Sequence, residues 1–97
     1  MIMRIENLNK LKNIKWLELS FNYISEIEGL DELENLTDLS LFSNQIKEVK
    51  NLDKNRKLNV FSVGNNQISD CKPMANYLKR FSNLQALYVH MNPFCKD

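Results

Sequence analysis

The sequence predicts an α/β solenoid: a short right-handed arc with a concave parallel sheet of about four short strands. Three observations carry that prediction. Four segments fit one template: IKWLELSFNYI from Ile14, LTDLSLFSNQI from Leu36, LNVFSVGNNQI from Leu58 and LQALYVHMNPF from Leu84. Their starts lie 22, 22 and 26 residues apart. Between them apolar residues recur at threes, as in Ile24, Ile27, Leu30 and Leu33. Parallel strands joined by crossovers wind right-handed, which sets the sense of the arc.

The chain opens on a partial turn. Stepping back 22 residues from Ile24, Ile27, Leu30 and Leu33 lands on Ile2, Ile5, Leu8 and Leu11, so residues 1–13 read as the outer half of a repeat. Full repeats then start at residues 14, 36, 58 and 84, and residues 1–97 read as a single domain. The start in mid-repeat and the stop at NPFCKD read as a fragment of a longer protein.

Each strand is announced by an apolar pair separated by one residue: Leu17/Leu19, Leu39/Leu41, Phe61/Val63 and Leu87/Val89. Period two turns one face inward and leaves the intervening side chains outward. Asn22, Asn44, Asn66 and Asn92 follow where the chain leaves the sheet. An amide side chain both donates and accepts, so these four are predicted to form a structural ladder that satisfies backbone groups of adjacent turns. The period-three stretches suit extended or 3₁₀-like return segments on the convex side.

The longer last interval lies in SDCKPMANYLKRFSN, where Met74, Tyr77, Leu78 and Phe81 stand at helical spacing. Pro73 suits a first turn, so one helix is predicted near residues 73–81 with that stripe against the core. Cys71 falls at the position of Ile27 and Val49 and is expected to be buried.

In an arc of this kind the concave sheet face is open. The template turns Trp16, Glu18, Phe21, Asp38, Phe42, Tyr88 and His90 onto it, beside the small residues Ser40, Ser62 and Gly64. Clustered aromatic residues on an open face are the mark of a protein partner's docking surface. The same face holds two carboxylates and no Lys or Arg, and the net charge is only +1, so nucleic acid is not the expected ligand. The basic residues Lys47, Lys50, Lys54, Arg56 and Lys57 fall on return segments and read as a solvated outer face.

Other functions find little material. Catalysis would have to use the single histidine, His90, with Cys95 and Asp97, which match no nucleophile motif and no zinc spacing. Two glycines cannot form a phosphate-cradling loop, so no catalysis, cofactor or metal is expected. No apolar run is long enough to span a bilayer, and the start MIMRIENLNK lacks a secretory pattern. With only Cys71 and Cys95, an intracellular protein with reduced thiols is the expectation.

The four segments together carry the leucine-rich repeat signature. Their 22-residue spacing, with isoleucine after the asparagine, resembles the sds22-like class found in phosphatase regulators, outer-arm dynein light chains and the spliceosomal A-prime protein. More narrowly, WLELSFNYISEIEGLDELENLTDLSLFSNQI, SVGNNQI and ANYLKRFSNLQAL resemble the dynein regulatory complex subunit 3 family, a component of the nexin link in motile cilia and flagella. That resemblance, from Trp16 to Leu87, implies a noncatalytic docking module on the axoneme with an axonemal or dynein-regulatory protein as partner. A phosphatase regulatory subunit and a spliceosomal protein are the alternatives. Repeat stacks without polar caps leave apolar faces and strand edges open, so self-association through the ends is also expected.

Overall fold

The computed structural model describes residues 1–95. Asp97, named above beside His90, lies outside them. Three-residue strands begin two residues into each template copy: β1 (Trp16–Glu18), β2 (Asp38–Ser40), β3 (Val60–Ser62) and β4 (Ala86–Tyr88). They pair in parallel in the order β1-β2-β3-β4. Leu17, Leu39, Phe61 and Leu87 share one row, and Glu18, Ser40, Ser62 and Tyr88 share the next. The ladder runs on beyond the strands, with the Leu19 N–H donating to the Ser40 carbonyl and the Phe21 N–H to the Phe42 carbonyl, both at 2.9 Å. A four-residue insertion before β4 leaves this register intact because it is absorbed on the convex side.

Return segments are built from isolated turns. The Leu33 N–H donates to the Leu30 carbonyl at 3.0 Å and the Leu36 N–H to that of Leu33 at 3.2 Å, and the same pair of bonds recurs at Leu52, Asn55 and Leu58. These are 3₁₀-type bonds made one at a time. A short 3₁₀ helix follows β4 at Pro93–Cys95. Ile24, Ile27, Leu30, Leu33, Leu36 and Leu41 are fully buried between turns. Each such side chain stabilises the stack by about 1.5–3 kcal/mol.

The helix, α1, spans Cys71–Leu78 rather than 73–81. The Asp70 carboxylate accepts from the Lys72 N–H at 3.1 Å and so fixes the start two residues before Pro73. Cys71, expected to be buried, is exposed. The cap turns the chain outward at Asp70, the first turn faces water, and Met74 is the first side chain to reach the core. Phe81 is buried beyond the helix end, where its N–H donates to the Leu78 carbonyl at 3.1 Å. Tyr77 ties α1 to the preceding repeat: its hydroxyl donates to Asp53 at 2.6 Å and accepts from the Leu52 N–H at 2.8 Å. Burial, reinforced by the bond to the Asp53 carboxylate, pushes this phenol up to about 12.

Two kinds of corner in the stack use left-handed backbone. One is filled by Asn7, Gly29 and Asn51, the other by Phe21, Ser43, Asn65 and Met91. At Gly29 a Cβ would stand 2.7 Å from the Ile5 carbonyl oxygen, so this corner needs glycine for space as well as for φ.

Candidate functional site

The concave face is held in place by the four asparagines. Asn44 Nδ2 donates to the Leu41 carbonyl of its own repeat at 3.1 Å and to the Leu19 carbonyl of the one before at 3.0 Å. Its Oδ1 accepts from the Ile24 N–H at 3.0 Å. Asn66 repeats the pattern with Val63, Leu41 and Ile46, and Asn92 with Val89, Val63 and Ile68. Asn22 bonds the Leu19 carbonyl and accepts from the Ile2 N–H at 2.9 Å, which docks the opening partial turn. Backbone groups at the sheet exit are thus satisfied from within, and the face can carry apolar side chains without losing the strands beneath it.

Those side chains fall into two groups. Trp16 and Tyr88 stand at opposite ends of an open trough of about 400 Å³, whose lining includes Glu18, Asp38, Ser40, Val60 and Ser62. Trp16 is 77% exposed and Tyr88 50%. One row further on, Phe21 and Phe42 pack edge to face with ring centroids 5.6 Å apart, and His90 lies 6.0 Å from Phe42 on its other side. Phe42, read from sequence as an open-surface ring, is half-buried, because Gly64 lacks the Cβ that would meet its ring at 3.1 Å and the ring settles over that gap. It therefore acts as a platform for Phe21 and His90. It does not line the trough.

The trough is electronegative. Burial pushes the Glu18 carboxyl up, but the Ser20 hydroxyl and amide that donate to it, with the nearby Ser40 hydroxyl, outweigh burial and hold the group below its ordinary value. Ser20 and Ser40 hydroxyls also bond each other at 2.8 Å. Asp38 accepts from the Thr37 hydroxyl at 2.9 Å. Among the described residues neither carboxylate has a Lys or Arg partner, whereas Glu26, Glu28, Glu32, Glu48 and Asp53 all pair with basic residues away from the trough. Lys50 bridges Glu26 and Glu48, and Arg56 stacks over Phe81, so much of the basic segment serves the outer surface.

Met91 is a further residue of this face that the sequence reading left out of the site. It is 58% exposed, beside His90, at the same corner position as Phe21. The signal was available: two bulky apolar residues at one template position that otherwise holds Ser43 and Asn65. Among the described residues no three His, Cys, Asp or Glu side chains gather to hold a metal ion, and no helix is long and apolar enough to cross a membrane.

A parallel sheet grown by 22-residue turns, an asparagine ladder at its exit and an open aromatic face define a repeat solenoid of the interaction type. The family model for leucine-rich repeats in two copies matches residues 12–54 and 34–79, and the chain belongs to the leucine-rich repeat family. Among solved structures it is similar to an internalin, inlF, from Listeria monocytogenes, at 30% identity and a TM-score of 0.72 over 87% of this chain. It is also similar to internalin C2 from the same organism, at 26% identity and a TM-score of 0.63 over 94% of this chain. The chain spans 24% of the first structure and 48% of the second. A search of curated proteins returned no significant match.

Proposed function

We propose that this chain is a noncatalytic module that binds a protein partner on its concave face. Trp16 and Tyr88 are the anchors, Phe21, Phe42 and His90 a second contact, and Glu18 and Asp38 the polar groups that orient the partner. One observation carries the reading. Trp16, Phe21, Tyr88 and Met91 each leave at least half of their surface in water, on a face whose backbone is already satisfied. Apolar surface of that kind is stabilised by covering it, and Trp and Tyr are the side chains that dominate binding when covered.

The setting we propose is intracellular, on the axoneme of a cilium or flagellum, as a scaffold component that regulates dynein through the nexin link. The support for that setting is the sequence resemblance of LSFN, LSLFSN, VGNNQI and the inserted YLKRF to the dynein regulatory complex family. A pull-down from flagellated-cell extract tests both parts, using the tagged chain beside a Trp16→Ala, Phe42→Ala, Tyr88→Ala variant shown by circular dichroism to be folded. Recovery of dynein-regulatory or inner-arm proteins, lost in the variant, is the expected result. Recovery of a phosphatase catalytic subunit would move the module to phosphatase regulation, and equal capture by the variant would refute the concave face.

A further inference from the structure

We propose that the trough between Trp16 and Tyr88 takes an extended, basic segment of the protein partner, with a lysine or arginine side chain seated beside Trp16 against Glu18 and Asp38. This deepens the reading above and rests on it. The occupant follows from three features of the trough.

The first is charge. Two carboxylates face the trough, and among the described residues no Lys or Arg lines it or pairs with either carboxylate. Five other acidic side chains do find such partners. The Ser20 and Ser40 hydroxyls favour the ionised form of Glu18, so at neutral pH the negative charge is in place before a ligand arrives. A cation brought from outside is the complement this surface lacks.

Ring placement is the second feature. Register puts Trp16 directly opposite Asp38, with Glu18 two residues along the same strand and so on the same face. A cationic head at this end meets two carboxylates and the face of an indole, the ring type that attracts cations most strongly. Arginine fits best, since its planar fork stacks on the ring while its edge donates to carboxylate oxygens.

Length is the third. Tyr88 lies three strands away, a span of about 14 Å at the usual strand spacing, which an extended peptide covers in about four residues. Between the two ends the lining includes Ser40, Ser62 and Val60, side chains small enough to admit a peptide backbone. A basic residue at one end and an apolar or aromatic residue about four positions away, against Tyr88, is the motif this geometry selects.

Panning a displayed random heptapeptide library on the chain tests this, with the Glu18→Gln, Asp38→Asn variant and the Trp16→Ala, Tyr88→Ala variant as counter-screens and circular dichroism as the folding control. The expected result is enrichment of peptides with a single Lys or Arg and an apolar residue about four positions away. Made synthetically, such a peptide should bind at least about tenfold more weakly to the carboxylate variant, and equally so when its arginine is replaced by citrulline, as expected when one member of an interfacial charge pair is neutralised. Added salt should weaken it too. Enriched peptides that need Trp16 and Tyr88 but carry no basic residue would overturn the cation site and leave the concave face standing. Enrichment indifferent to Trp16 and Tyr88, or none at all, would overturn both.

Discussion

Two buried asparagines illustrate how far a residue's effect depends on what its neighbours already have. Asn66 Oδ1 accepts from the buried Ile46 N–H, and its Nδ2 shares the Leu41 carbonyl with Asn44. Asn66→Leu therefore orphans the Ile46 N–H, and denaturant unfolding should show a loss of about 1–3 kcal/mol. Asn55 is as buried, at the position held by Leu33 one repeat earlier, yet its amide donates to the Leu30 and Leu33 carbonyls, which turn N–H groups already serve. Its Oδ1 has no partner among the described residues. Asn55→Leu removes that orphan and should raise stability by about 1 kcal/mol; a loss comparable to that of Asn66→Leu would show that the extra carbonyl bonds matter. Met91 poses the converse case, an exposed side chain on left-handed backbone that disfavours it by about 1–2 kcal/mol. Met91→Asn, the residue type found at position 65, should raise the melting temperature, and it should weaken partner binding if the methionine is there for a partner's sake.

The strands were legible because their cause is local: an apolar pair at period two, repeated at 22 residues, fixes face and register together, and the paired rows fall where that spacing puts them. The helix was legible in its stripe of Met74, Leu78 and Phe81 but not in its limits, since its start is set by the Asp70 cap and its last buried residue lies past its end. Carrying the 22-residue phase into an insertion misplaced Cys71, because inside the insertion the cap and not the repeat decides which way a side chain points. Phe42 was misjudged for a different reason: whether an outward ring stays open depends on the residue one ladder away, and there it meets Gly64. What α1 adds to the stack can be measured through Tyr77. Its phenol is raised to about 12 by burial and by Asp53, so the folded state holds the proton more tightly than the unfolded chain. The contribution is complete below the ordinary value of 10 and is lost as pH rises from there toward about 12. Tyr77→Phe, which also forgoes the Leu52 hydrogen bond at a cost of about 1 kcal/mol, should lack this component. Unfolding free energies of the two proteins should converge over that range, and parallel curves would mean that the Asp53 contact does not form in solution.

A stack of turns is strongest in its middle, and this one has no strand beyond β1 or β4 among the described residues. Leu39 and Phe61, in the central strands, are at most 1% exposed, while Leu87 at the same template position in β4 is 41% exposed. At the other end Ile14, Leu17 and Leu19 are only partly covered, because residues 1–13 roof the outer half of the first repeat but place no strand beside β1. Within the described residues each end of the sheet thus presents unpaired strand N–H and C=O groups next to apolar side chains, and the two ends are complementary, since β4 of one copy of this 97-residue chain can pair in parallel with β1 of the next as any two neighbours do within it. Such a contact is head to tail and does not close on itself, so association should grow with concentration instead of stopping at a dimer. Sedimentation velocity on the 97-residue chain should show a weight-average size that climbs with concentration. Leu87→Lys, which sets a charge in the exposed edge row, should return the chain to monomer without loss of helix signal. Hydrogen exchange should report the same gradient from within, slowest in β2 and β3 and faster in β1 and β4. A strict monomer at every concentration, with uniform protection across the four strands, would mean that the ends are quieter than their exposed leucines imply, and that the aromatic face is the surface on which this module meets other chains.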